Sequence, residues 1–191
     1  MEWLKYPPPN DKKFGNAKLC YFISCPSSEL PIRDYKYLKK LEPHYEKKSY
    51  NEHASCNQRG IKNAYNRGIS YLIFYTRYEG KEKKYKNRYF ITGLFPISAW
   101  KKINERNAYL SDNPIFLSID DSIELNDKRW RKWFKEELPV NNRGSLNLRY
   151  MAKFINKNSL ALRYILKYFR NNYHKNKINE YINEIKREFY R

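Results

Sequence analysis

The sequence predicts an α+β domain, and three observations carry that expectation. Residues 69–78, ISYLIFYTRY, are apolar or aromatic on both alternation phases, the pattern of a strand covered on both faces. Residues 88–97, RYFITGLFPI, supply a second such run, and residues 79–87, EGKEKKYKN, are too charged to join a core, so the two form a hairpin with a basic tip. From Ser159 onward the period changes to that of a helix. Leu160, Tyr164, Ile165, Tyr168 and Phe169 make one stripe, and Ile178, Tyr181, Ile182, Ile185 and Phe189 make another.

A chain of 191 residues is long enough for one domain with a real core and too short for two large ones. Residues 1–172 read as a single domain with an irregular lead-in over 1–17, which holds Pro7, Pro8, Pro9 and Gly15. Residues 173–191 read as a C-terminal amphipathic helix, or a linker to a further domain, because the final stripe ends without a cap.

The remaining elements follow in order. Residues 18–25, KLCYFISC, are the first convincing strand, stopped by Pro26. Asp34 caps a short helix carrying Tyr37, Leu38 and Leu41, which ends at Pro43. Residues 57–67 place Ile61, Ala64 and Tyr65 on one helical face, with Gly68 as the left-handed residue behind it. After the hairpin, Ser98 caps a helix bearing Trp100 and Ile103, and residues 114–119, PIFLSI, form a short strand. Asp127 caps a helix over 128–138 with Trp130, Trp133, Phe134 and Leu138 in its stripe. Residues 147–155, NLRYMAKFI, are the last strand.

Charge narrows the function. Lys and Arg number 39 against 20 Asp and Glu, a formal net charge of +19, and the chain carries 10 Phe, 4 Trp and 19 Tyr. Such an excess repels itself, and a polyanion is its usual compensation. No run reaches the roughly 18 apolar residues of a membrane span and no signal-peptide pattern opens the chain, so nucleic acid is favoured over a membrane and the location expected is cytoplasmic. The odd count of three cysteines, Cys20, Cys25 and Cys56, excludes a full disulfide framework and agrees with a reducing compartment. From residue 138 to 179 there is no Asp or Glu, yet nine residues are basic. Within that stretch Arg149 and Lys153 share a strand face and Lys157 continues the row, a groove suited to phosphates. Arg59, Lys62, Lys83 and Lys84 are further phosphate candidates.

Catalytic signatures are few. There is no phosphate-binding glycine loop, no G-x-S-x-G, no H-E-x-x-H and no dinucleotide fingerprint. His53 and Cys56 stand at an H-x2-C spacing that Cys25 and His44 could complete as a zinc site, but zinc sites usually show two tight ligand pairs and here there is at most one. Asp120, Asp121 and Glu124 are the one carboxylate cluster a metal-dependent nuclease could use. They read better as an acidic loop leading to a helix cap, since no strand-borne metal geometry is evident. The expectation is a non-enzymatic protein without a cofactor.

Four segments in this order carry a family resemblance over residues 18–169: KLCYFISCPSS (18–28), HASCNQRGIKNAYNRGISYLIFYTRYEG (53–80), RYFITGLFPIS (88–98), and PIFLSIDDSIEL (114–125) with the later Leu138–Pro139. In order and local pattern the chain resembles the PUA-like superfamily, and within it EVE and YTH domains. The resemblance implies a small twisted mixed β-barrel surrounded by helices, which binds DNA or RNA by flipping one modified base into an aromatic pocket. It assigns that pocket to Ser24 and Cys25, to Ala54, Ser55 and Cys56, and to Trp100 with Tyr75 and Tyr78. His53 and Ala54 stand where the YTH pattern has a Trp. Similar domains serve as the N-terminal specificity module of McrBC-type modification-dependent restriction enzymes, fused to a nucleotide-hydrolysing motor, so a motor or nuclease partner is implied too. The functional expectation is a reader of a methylated base in DNA or RNA. A modification-blind nucleic-acid binder and a nuclease built on Asp120, Asp121 and Glu124 stand as the alternatives.

Overall fold

The computed structural model describes residues 2, 4–32, 52–54, 64–103, 106–125 and 154–189. Ten strands and two helices lie within them, so the chain is α+β. Strands β1 (Leu4–Lys5), β2 (Asn16–Ile23), β3 (Glu52–Ala54), β4 (Ile69–Arg77) and β5 (Tyr89–Pro96) are followed by β6 (Ala99–Ile103) and β7 (Arg106–Leu110). Then come β8 (Ile115–Phe116), β9 (Ile123–Glu124), β10 (Phe154–Ile155), α1 (Leu160–Asn171) and α2 (Ile178–Phe189). The larger sheet runs β10-β2-β4-β5-β8 with β9 also on β5; the smaller runs β1-β6-β7-β3. All pairings are antiparallel except β2 with β4. Among the described residues the strands form these two open sheets and no closed barrel.

β4 is central and buried on both faces, as its continuous apolar run predicts. Ile73 and Tyr75 enter one core cluster with Leu19, Ile91, Leu94 and the buried face of α1, which is Ala161, Leu162, Ile165 and Phe169. Leu72 and Phe74 enter the other, with Phe95, Tyr6, Tyr109 of the small sheet, and Tyr181 and Ile185 of α2. Each large side chain buried this way contributes about 1.5–3 kcal/mol. The helix after Ser159 forms as its cap predicts, the Ser159 Oγ accepting from the amides of Ala161 and Leu162. Asn176 anchors the start of α2 against β8, its side chain accepting from the Phe116 amide at 2.9 Å and donating to the Pro114 carbonyl at 2.9 Å.

One expectation changes. Ser98 begins no helix: its amide and hydroxyl both reach the Leu110 carbonyl, at 2.8 and 3.1 Å, and residues 99–103 pair with β7 along their whole length. A local cap signal has lost to cross-strand pairing, in which Trp100 faces Tyr109. The hairpin tip projects as expected, with Tyr85 alone of residues 81–87 partly buried. It makes a 3-10 turn over Lys83–Tyr85, and the Tyr85 ring packs edge-on against Phe90 at 5.5 Å, in a cluster with Tyr78 and Ile119. Gly93 is required by packing. It lies mid-strand where the Phe116 ring covers it, and a Cβ there would approach that ring to 2.6 Å. The expected helices over 34–41 and 128–138 lie outside the described residues, as do 57–63 of the expected helix over 57–67 and residues 147–153 of the last strand.

Candidate nucleic-acid interface

The residues that the resemblance assigns to a base pocket fall into three places. Ser24, Cys25 and Tyr78 come together where β2 and β4 end. There the Ser24 hydroxyl donates to the Arg77 carbonyl at 3.1 Å and accepts from the Glu79 amide at 2.8 Å, and the Cys25 Sγ lies 3.1 Å from the Ser27 hydroxyl. Tyr78 is buried, its hydroxyl donating to the Glu29 carbonyl at 3.3 Å. Tyr75 belongs to the other core face, buried beside Tyr21 at 5.3 Å. Burial holds its hydroxyl far above the usual tyrosine range. Trp100 and His53 share one row of the small sheet, each opposite Tyr109 from either side. Ser55 and Cys56 lie outside the described residues, as do Arg59, Lys62, Arg149 and Lys153 of the phosphate set, together with His44 and Asp127.

The acidic segment after β8 takes cations from three places: the tip, the residue just before the return strand β5 and the segment after α1. Lys84 pairs with Asp120 at 3.0 Å, Arg88 with Glu124 at 3.5 Å and Lys175 with Asp121 at 2.6 Å. The Tyr85 hydroxyl donates to Asp120 at 2.5 Å, and that bond, then the one from Lys84, holds the Asp120 carboxyl below the usual carboxylate range. Lys84 is therefore committed to a carboxylate, while Lys83 beside it is exposed. Asp120, Asp121 and Glu124 each have a separate cation partner. Among the described residues no group of three or more His, Cys, Asp or Glu could hold a metal ion. A cavity of about 350 Å³ lined by Glu29, Leu30, Glu180, Asn183, Glu184 and Arg187 sets three carboxylates against one guanidinium, and so repels phosphate.

A different corner is cationic and aromatic at once. The loop from Pro8 to Gly15 lies against the turn at 64–68, and Gly68 permits the contact: at φ +62° it has no Cβ, which would otherwise sit 1.7 Å from the Lys13 carbonyl oxygen. Asn16 clamps the corner, donating from Nδ2 to the Arg67 carbonyl at 2.6 Å and accepting from the Lys157 amide at 2.9 Å. The Lys157 Nζ turns inward to the carbonyls of Lys12 and Phe14, so this lysine orders the loop. Lys12, Lys13 and Arg67 stay exposed, and among the described residues none of them pairs with a carboxylate. The loop's own Asp11 is taken up by the Lys13 amide at 3.0 Å.

Aromatic rings lie among these cations. Tyr65 is 41% exposed, its ring tilted 37° from that of half-buried Trp100 at 6.1 Å. The Lys13 ammonium stands 5.3 Å above the Tyr65 ring, and the Arg67 guanidinium lies 4.2 Å from the centre of Phe154. Beneath them Tyr6 packs edge-on to Phe14, Tyr65 and Tyr109. Its buried hydroxyl has no hydrogen-bond partner among the described residues, and burial, then Tyr65, raises it far above the usual tyrosine range. Exposed cations for phosphates beside an exposed ring for a base face are the parts that single-strand binding uses. Trp100 is the one residue here that the sequence placed at a base site. Lys13, Tyr65 and Arg67 were missed because Tyr65 reads as the buried face of a helix and Lys13 as part of an irregular lead-in. The run Lys12-Lys13-Phe14, cations directly beside a ring, was the available signal. No family model matches the chain, and no curated protein or solved structure matches it either.

Proposed function

We propose that this protein is a nucleic-acid-binding domain whose Tyr65–Trp100 corner stacks on one unstacked, modified base while Lys12, Lys13 and Arg67 take the flanking phosphates. The observation that carries the reading is the exposed Tyr65 ring, set against Trp100 and flanked by Lys13 and Arg67, neither of which any described carboxylate neutralises. Base stacking on such a ring contributes about 1–3 kcal/mol. A modified or unpaired base meets the lower unstacking cost. The PUA-like reading belongs to the same proposal. It is supported by the element order, in which the first long strand β2, the Gly68 turn, the central β4 and its hairpin partner β5 follow one another along the chain. The site in this reading has moved from the ends of β2 and β4, where Tyr78 is buried, to the small sheet, where Trp100 and His53 share a row.

Fluorescence anisotropy with labelled 12-mers tests it. The wild type binds a single strand with an affinity that falls with salt, and binds methylated oligonucleotides more tightly than unmodified ones. Tyr65→Ala weakens binding by about 5- to 100-fold, the equivalent of one lost stacking interaction, whereas Tyr65→Phe stays within threefold. Equal affinity across a panel of methylated and unmodified bases would leave a modification-blind binder, and full affinity in the Tyr65→Ala protein would remove the corner from the interface.

A further inference from the structure

The acid-free stretch that ends the chain's basic half contains α1, and the corner above makes no use of it. On α1, Arg163, Lys167 and Arg170 are all exposed, at spacings of four and three, on the side away from buried Leu162, Ile165 and Phe169. None of the three has an ion-pair partner among the described residues. Six other cations, Lys81, Lys84, Arg88, Lys175, Lys177 and Arg187, each reach a carboxylate within 4 Å, whereas the α1 row shares its lack of an acidic partner with Lys12, Lys13 and Arg67 of the corner. A row of like charges one turn apart is unfavourable for a helix on its own. A bound polyanion would relieve that repulsion.

We propose that Arg163, Lys167 and Arg170 form a second phosphate-binding surface, which takes the backbone of a base-paired arm adjoining the Tyr65–Trp100 corner. The inference rests on the nucleic-acid reading above and names the form of its ligand. Two observations favour a duplex over a flexible strand. The row is rigid and straight: seven residues of helix at about 1.5 Å each span about 10 Å, and one strand of a duplex presents three phosphate steps over that length, at about 3.4 Å of axis per step. It is also placed next to the corner. Lys157, clamped to Asn16 and to the Pro8–Gly15 loop, precedes the helix cap Ser159 by two residues, so α1 starts at the corner's edge and carries its cations away from it. A membrane fits less well, because Leu160 at the first turn is the single exposed large apolar side chain that this helix offers for insertion.

The test compares a single-stranded 12-mer with the same 12-mer joined to a 16-base-pair arm, across a series of salt concentrations, for the wild type and two variants. The wild type binds the junction more tightly and with a steeper salt dependence. Arg163→Gln/Lys167→Gln/Arg170→Gln loses that gain: its log–log salt slope on the junction falls by about 2 to 3, at roughly 0.9 per phosphate contact, while its affinity for the single strand stays within about twofold. Lys13→Gln/Arg67→Gln loses affinity for both ligands. An unchanged junction slope in the triple variant overturns the assignment of α1 even if the corner variant behaves as stated. A corner variant with unchanged single-strand binding, beside a triple variant with a reduced junction slope, overturns the corner and leaves α1 standing. If the triple substitution abolishes binding to phosphatidylserine vesicles and leaves junction binding intact, the surface belongs to lipid and the proposal fails.

Discussion

The two helices are alike in everything but their polar faces. Each has twelve residues and an amphipathic pattern, and each buries an aromatic against the large sheet, Phe169 from α1 and Tyr181 from α2. At α2 two cations have carboxylate partners: Lys177, just before the helix, pairs with Glu180 at 2.7 Å and Arg187 with Glu184 at 2.8 Å. On α1 the row is cationic alone. Burial thus decides that both helices form, while their polar faces differ: cations at α2 have acidic neighbours, and the α1 row has none among the described residues.

The comparison breaks first where the helices are equivalent. Phe169→Ala is expected to cost about 3–5 kcal/mol and Ile185→Ala about 2–5 kcal/mol, read as urea midpoints at constant slope. A much smaller loss from one helix would mean that its docking contributes little. Next comes Glu184, 8% exposed, whose Oε1 accepts from the Ser28 hydroxyl at 2.8 Å and the Glu29 amide at 3.1 Å. Glu184→Ala deprives the Glu29 amide of this acceptor, the Ser28 hydroxyl keeping the Leu30 carbonyl at 2.7 Å, and should cost about 1–3 kcal/mol, where removal of its partly exposed partner in Arg187→Ala should cost under about 1 kcal/mol. The α1 triple substitution sharpens the contrast: relief of two like-charge contacts should leave stability unchanged or raised by about 0.5 kcal/mol, with the loss confined to binding. The smallest effect is that of pH. Asp120 is held in its ionised form by Tyr85 and Lys84, so its folded pKa lies below its unfolded value of 3.8. Its contribution is present above that value and fades as pH falls below about 4. Between pH 6 and pH 3 the wild type should lose slightly more stability than Asp120→Asn; identical losses would show that the tether adds nothing.

Patterns with one dominant physical cause could be read directly from the residues. The two-faced run at 69–78 became β4, Ser159 capped α1, and the final stripe became α2, because burial and capping act locally and strongly. The small sheet could not be read so. Ser98 and Trp100 obey a helix rule as well as a strand rule, and only β7, paired from Ala99↔Leu110 to Ile103↔Arg106, settles the choice. The site was harder still. Lys84 of the basic tip reads as free for a phosphate because Asp120, which takes it, lies 36 positions away. Lys13, Tyr65 and Arg67 meet only through a carbonyl resting on Gly68 and an asparagine bonded to two distant segments.

That asparagine has a consequence for how the protein responds to its surroundings. Asn16 joins positions 51 and 141 residues away in sequence, so the cationic corner exists only when the lead-in, the turn before β4 and the segment before α1 have closed on one another. A polyanion bound there selects the closed chain and withholds itself from the open one, stabilising the fold by about 2.7 kcal/mol at a concentration one hundred times its dissociation constant. With a formal charge of +19 pushing the same segments apart, ionic strength acts on the chain in two opposed ways. Added salt steadies the free protein by screening its self-repulsion and destabilises the bound one by loosening its ligand, so the sign of the salt effect on melting reports whether the corner is occupied.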